Sequence, residues 1–455
     1  MSNGPDKRMD TDLAARLLTS IESDRLVIFS GAGLSMADPS RVPSAFQLAQ
    51  TCASRYKEIT GVSVPAGADS NLEALADFFL EQHTLSTVFL DRLVVWAPFR
   101  EPQNAAHSAI ADFLASTVVE YAATTNVDVL VESAAQQLGE PDFRPALDGL
   151  ETMRSTAHKP YLKLHGCMER DRDATVWTRR QLDSTDANAN ATVMTRLATS
   201  STWLQANLVN RDVVFIGFWS DWRYLNDVLQ SALATSTPTM VVVVDPASPE
   251  VLQQKAPELW NWCHQGGIDF FHERQSGKEF LADLRRIFSQ RLLERVLIDS
   301  LQLFDAMSKG AVQPDTTFAD ITSNEELYQI RKDMSSAPRR DVPRKKRPDP
   351  SMREAGAIHL LVRQKGGRLQ GSRYLLNTHT IRVLNGGHRP MNRVRAEFGN
   401  DGANVEDEMI ICSDAFDDGG VPSDLMGRSE VTSIVRSVSR STWLTWQQAR
   451  GRDLI

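Results

Sequence analysis

The chain has 455 residues, 42% of them hydrophobic, and 50 Lys+Arg against 58 Asp+Glu for a net charge of −8. That length holds two or three domains with ample apolar content for sizeable cores. The acidic balance argues against an overall basic nucleic-acid binder and leaves only a local patch open. Cys52, Cys167, Cys263 and Cys412 stand far apart with no C-x-x-C spacing, so neither a zinc module nor a disulfide framework is supported. Met1–Asp10 is polar and lacks an apolar core, so a signal peptide is not expected. No apolar run reaches bilayer-spanning length, and the expectation is a soluble, cytoplasmic protein.

Thr11–Glu22 reads as a helix, with Leu13, Leu17 and Leu18 on one face and Asp10 or Thr11 as N-cap. Leu26-Val27-Ile28-Phe29-Ser30 is an apolar run without alternation, which predicts a buried strand. It ends in Gly31-Ala32-Gly33-Leu34-Ser35, where two glycines permit close backbone approach and the exposed amides suit a phosphate. From Ser44 to about Arg100 the pattern is helical and dotted with aromatics. That insertion is too long for a simple crossover and predicts a helical cap over the first loop.

Further strands are predicted at Thr117–Ala123, Tyr161–Leu164, Asp212–Ile216 and Thr239–Val244, alternating with helical segments. This is the pattern of an α/β fold with a Rossmann-like parallel sheet. Each strand runs into polar or glycine-rich residues at its carboxyl end: Thr125-Asn126-Val127-Asp128, His165-Gly166, Gly217-Phe218-Trp219-Ser220-Asp221 and Asp245-Pro246. In open α/β sheets ligands bind beyond those ends. One rule thus gathers Gly31, Ser35, Asn126, Asp128, His165, Gly217, Ser220 and Asp245 at a single crevice.

Lys278 to about Met307 continues as a long amphipathic helix and closes a domain over 1–307. Residues 308–350 are polar and proline-rich and read as a linker. Within it Arg339–Arg347 holds six basic residues against one acid, a solvated stretch or else a nucleic-acid or partner patch. Ile358–Val362, Tyr374–Leu376 and Thr380–Leu384 look like short strands between glycine-rich turns, and Val431–Val438 fits strand or helix. Residues 351–455 are therefore expected to form a smaller β-rich C-terminal domain, with Trp443 and Trp446 in its core.

A dehydrogenase is the first reading of a glycine loop after a first strand, but Met36 replaces the third glycine of G-x-G-x-x-G. No acid-ending second strand follows, and no Gly-Lys-Ser/Thr completes a P-loop. The motifs instead resemble the sirtuin family. Gly31–Ser35 with Val42-Pro43 and Phe46 is similar to the GAG-x-S…(I/V)P-x-F signature. Pro102-Gln103-Asn104-Ala105-Ala106-His107 is similar to the segment before the second nucleotide motif. Thr125-Asn126-Val127-Asp128 resembles T-Q-N-I-D, with Thr125 in place of glutamine. His165-Gly166 matches the catalytic His-Gly, and Phe215–Asp221 looks like a bacterial F-I-G-F-S-x-x-D. The resemblance spans roughly residues 20–290. Sirtuin deacylases carry a four-cysteine zinc ribbon after the His-Gly, whereas residues 167–216 contain only Cys167.

The resemblance implies NAD as substrate and no metal. It points to the branch of sirtuin-like enzymes that hydrolyse NAD in bacterial antiphage defence. Gly31, Ala32, Gly33 and Ser35 are expected at the phosphates, with Phe46 and Thr125 also on the cofactor, and Gly217, Ser220 and Asp245 on the adenosine side. Asn126 is expected to fix the ribose or the attacking water. Asp128 is expected at the nicotinamide carboxamide or near the developing cation, with N-cap of the next helix as its competing role. His165 is expected as general base, its ordinary pKa lying near working pH. His107 is expected to serve packing or to support the site's geometry. The alternatives are an NAD-dependent protein deacylase and a non-catalytic nucleotide-sensing subunit. The implied partners are further copies of the chain and a HerA-type ATPase, favoured over a short Argonaute. Nucleic acid is expected at most indirectly, and no membrane.

Overall fold

Apolar runs without alternation become the central strands of a six-stranded, all-parallel sheet. The structure is a computed structural model that describes residues 9–154, 161–175, 187–219, 238–308, 314–338, 341–399, 408–416 and 441–455. It divides into two compact units, Met1–Asp283 and Leu284–Ile455.

In the first unit β1 (Leu26–Ser30) lies between β2 (Tyr121–Thr124) and β4 (Asp212–Ile216). With β3 (Tyr161–Lys163), β5 (Met240–Val244) and β6 (Asp269–Glu273) the strand order is β3-β2-β1-β4-β5-β6. Every residue of β1, β4 and β5 is buried, as strands covered on both faces require. The order reverses between β1 and β4, so the loops leaving these two strands meet at the topological switch point.

Helix α1 (Thr11–Glu22) is capped by Asp10, whose carboxylate accepts the Asp12 and Leu13 amides. A single turn, α2 (Gly33–Met36), follows the glycine loop. The insertion is helical as expected, with α3 (Ala45–Thr60), α4 (Leu72–Glu81) and a π-helical stretch at Leu85–Leu93. Its core, with Leu75, Phe79 and Phe89 at the centre, also takes in Val129, Leu130, Cys167 and Met168. The insertion is therefore seated on the loops that follow β2 and β3. Next come α5 (Ala105–Ala115), α6 (Leu130–Leu138), α7 (Gly149–Arg154), α8 (Ala187–Leu208), α9 (Pro249–Lys255), α10 (Pro257–Cys263) and α11 (Gly277–Asp299).

One boundary and one whole strand differ from expectation. Strand β2 starts at Tyr121 rather than Thr117, because Thr117 (φ 56°) turns the chain out of α5 and leaves Val118 and Val119 buried in the turn. Strand β6 was not anticipated, since Asp269, His272 and Glu273 hide its short apolar centre. Among the described residues it pairs only with β5, and such an edge tolerates polar residues.

The second unit holds a five-stranded mixed sheet in the order β11-β10-β9-β8-β7. Its elements are α12 (Leu301–Ser308), α13 (Asn324–Met334), α14 (Arg353–Gln364), β7 (Arg368–Gln370), β8 (Arg373–Leu376), β9 (His379–Pro390), α15 (Met391–Phe398), β10 (Glu408–Phe416), β11 (Thr442–Thr445) and α16 (Trp446–Gly451). Strands β7, β8 and β9 form an antiparallel meander, and β9, β10 and β11 are parallel. Ile358–Val362 is helix, not strand. It lies inside α14, where every residue from Ala355 to Val362 is buried, and a helix buried all round shows no period to distinguish it from a buried strand. Residues 308–350, expected as a linker, contribute α13, whose Leu327, Ile330 and Met334 are part of the unit's core. Trp443 is buried and Trp446 packs half-buried against the core. Val431–Val438 lies outside the described residues. No helix among the described residues is long and apolar enough to cross a membrane.

Candidate active site

At the switch point the glycines are there for backbone contact. Gly31 N–H donates to the Ile216 carbonyl (3.0 Å) and Gly33 N–H to the Gly217 carbonyl (2.9 Å). A Cβ on Gly31 would lie 2.6 Å from the Phe218 Cα, and one on Gly33 would lie 2.7 Å from the Gly217 Cα. Gly217 itself has φ +56°, a left-handed conformation that side chains disfavour. The glycine loop thus spends two of its amides on the β4 loop. The Ala32 N–H, on an exposed residue, remains uncommitted among the described residues.

The loop's last member organises the site. Ser35 Oγ stands 3.0 Å from His107 Nε2, 3.0 Å from Asn126 Nδ2 and 2.8 Å from Asp128 Oδ2. Asn104 N–H donates to His107 Nδ1 (3.0 Å), so that nitrogen carries a lone pair. Burial pushes the His107 pKa down to about 4, so the neutral ring holds its proton on Nε2 and donates it to Ser35. Asn126 donates the second bond, and the hydroxyl hydrogen goes to Asp128. Ser35 is then saturated, with two bonds accepted and one donated. These side chains are buried: Ser35 is 1% exposed, Asp128 5% and Asn126 8%.

Both carboxylate oxygens of Asp128 are engaged. Oδ2 takes the Ser35 hydroxyl and Oδ1 accepts the Leu130 amide at the start of α6 (3.2 Å). Asn126 differs: its Nδ2 serves Ser35 while, among the described residues, its Oδ1 accepts no bond. That amide oxygen is an acceptor held in place by its own NH2 group.

His165 follows β3 and is buried. Burial, helped by the Arg196 guanidinium, pushes its pKa down to about 3. The ring is neutral at working pH and binds a proton weakly until a ligand alters its surroundings. Gly166 (φ +83°) makes room for the Asp171 carboxylate, which a Cβ there would approach to 2.6 Å. Asp171 in turn accepts the Cys167 amide (2.5 Å) and Arg196 Nη2 (2.6 Å), closing the turn after His165.

Of the residues singled out in the sequence, the structure joins Ser35, Asn126 and Asp128 in one network and packs Gly31 and Gly33 against Gly217. Thr125 donates its amide to the Ser30 carbonyl (3.1 Å). Phe46 is half exposed, and Asp245 bonds locally, its Oδ1 accepting the Ala247 amide (2.8 Å). Neither takes part in the network. Ser220 lies outside the described residues. Among those described, no group of three His, Cys, Asp or Glu side chains is placed to hold a metal ion.

Sequence reasoning gave His107 a supporting role and assigned no role to Asn104, Lys163 or Glu132. The Lys163 ammonium, wholly buried at the end of β3, contacts the Asp128 carbonyl oxygen and Glu132 Oε1 (2.5 Å). A lysine inside an apolar strand is itself a signal, because a buried cation demands a partner.

The family model described as a SIR2-like domain matches residues 120–265, a stretch that runs from β2 to just past α10 and leaves Gly31–Ser35 and His107 outside. No curated protein matches the chain. Solved structures similar to it include a Sir2 bound to an inhibitor, 2'-O-acetyl-ADP-ribose and a deacetylated peptide, at 14% identity, 60% of this chain, 97% of that one and a TM-score of 0.34. A Sir2 homologue–NAD complex is similar at 13% identity, 63% of this chain, 96% of that one and a TM-score of 0.30. What the chain shows at the level of family is the match of residues 120–265 to the SIR2-like domain model.

Proposed function

We propose that the first unit is an NAD glycohydrolase, which breaks NAD with water into nicotinamide and ADP-ribose. The observation that carries this reading is the buried network at the carboxyl ends of β1 and β2, which holds Asn126 with its Oδ1 unspent among the described residues. In the reaction the bond between nicotinamide nitrogen and ribose C1′ breaks, its electron pair stays on the departing ring, and water adds to C1′. Asn126 Oδ1 accepts a hydrogen bond from a ribose hydroxyl or from that water. His165 accepts the water's proton. Asp128 acts by holding Ser35 rather than by touching the ligand. The exposed Ala32 amide and the backbone that Gly31 and Gly33 keep close serve the pyrophosphate.

The same reading makes the protein an NAD-depleting effector of bacterial antiphage defence, working on the cytoplasmic NAD pool. An enzyme of that kind must idle until triggered, and burial of Ser35, Asn126, Asp128 and His165 suits an idle form. Assembly with further copies of the chain and with a HerA-type ATPase is the proposed means of opening it.

The test is chromatography of NAD incubated with the purified protein, alone and with candidate activators. Nicotinamide and ADP-ribose should appear without any acylated peptide. Asn126→Ala and His165→Ala should each lower the rate by about a hundredfold or more. Cleavage that requires an acyl-lysine peptide, or variants as active as wild type, would sink the proposal. In cells, NAD should fall on phage infection only when Asn126 and His165 are intact.

A further inference from the structure

Lys163 is a charge the mechanism above does not use. Its ammonium touches the Asp128 carbonyl oxygen, Glu132 Oε1 at 2.5 Å and Cys167 Sγ at 3.8 Å. One buried cation therefore ties the loop carrying Asn126 and Asp128 to the strand that leads into His165. Stability alone is a poor reason for it. Two apolar residues would fill the same space at equal or better stability, and Glu132 Oε2 is buried with no hydrogen-bond partner among the described residues.

Two charged groups face the His107 ring with opposite effects, Asp128 from the loop after β2 and Lys163 from β3. Asn104 and Ser35 complete its surroundings. Protonating His107 would put a hydrogen on Nδ1, where the Asn104 amide already donates, and would break the start of α5. It would also disturb the orientation of Ser35 and, through it, Asn126. Lys163 opposes that protonation and pins the Asp128 backbone at the same time.

We propose that Lys163 is a positioning residue for the reaction: its buried ammonium holds the Ser35–His107–Asp128–Asn126 network in a single hydrogen-bonding arrangement. This rests on the NAD-cleavage reading, so the test combines an activity measurement with one that needs no NAD. Lys163→Met alone would leave Glu132 buried and unpaired, so the main variant is Lys163→Met with Glu132→Leu, which removes both charges. Lys163→Arg keeps the cation as a control. The double variant should melt within about 4 °C of wild type. Its kcat should fall tenfold or more while KM stays within about threefold. By nitrogen-15 NMR, with His107 assigned through His107→Gln, the wild-type ring should stay neutral with its proton on Nε2 down to about pH 5. In the double variant the ring should begin to protonate above that pH. An unchanged kcat in the folded double variant overturns the proposal and leaves NAD cleavage standing. If wild type cleaves no NAD under any condition, that reading fails alone, and an unchanged His107 titration in the double variant then overturns the proposal.

Discussion

Ser35 shows how much can depend on one hydroxyl. Removing it leaves the His107 and Asn126 donors and an Asp128 oxygen unpaired in a buried place. Ser35→Ala should therefore destabilise the first unit by about 3 kcal/mol, measured by urea unfolding, whereas an exposed serine would cost almost nothing. The neutral buried histidines set a pH dependence. Folded pKa values of about 4 for His107 and about 3 for His165 lie below the ordinary 6.5, so the unfolded chain binds protons that the folded one refuses. The stability is intact above pH 6.5 and is lost as pH falls toward 4. At pH 5 the loss should be about 2 kcal/mol for each ring. Denaturant midpoints at pH 7.5 and 5 should show it, and His107→Gln should reduce the slope. Asn126 and His165 were legible as candidate site residues because each follows a buried strand. The Ser35–Asp128 bond was not, since it joins residues 93 positions apart in the chain.

At the scale of elements, the contact between the loops after β1 and β4 decides which glycines are indispensable. Gly33 and Gly217 meet backbone to backbone, and Gly217 also needs its left-handed φ. Gly217→Ala should cost about 2–4 kcal/mol in urea unfolding and weaken ADP-ribose binding measured by calorimetry. Gly61 is the contrast: it is also left-handed, but a Cβ there would meet open space, so Gly61→Ala should cost about 1 kcal/mol. The valine-rich β5 was unmistakable, since a run of five β-branched or apolar residues has few alternatives. Ile358–Val362 was misread for the same reason, because short apolar runs look alike in helices and strands, and only its place within α14 decides.

At the scale of the whole molecule, two sheets with separate cores predict two unfolding transitions in differential scanning calorimetry. A single transition with equal calorimetric and van't Hoff enthalpies would contradict that. The chain's acidic balance is carried by the first unit, with 23 basic against 36 acidic residues, while the second has 27 against 22. An anionic ligand such as NAD therefore gains nothing from the net charge of the unit proposed to bind it. Its binding must rest on local donors.

Local periodicity and composition determined the parallel α/β sheet, the helical insertion and the polar or glycine-rich strand ends. These are properties of contiguous residues, and burial on both faces writes them directly into the chain. Only the tertiary structure decided that Gly31 and Gly33 serve a neighbouring loop, that His107 is bonded to Ser35, and that Lys163 stands beneath Asp128. Each of these joins residues dozens to nearly two hundred positions apart. What selects them is the three-dimensional requirement that a buried donor, acceptor or charge find a partner, and that requirement leaves no period in the sequence.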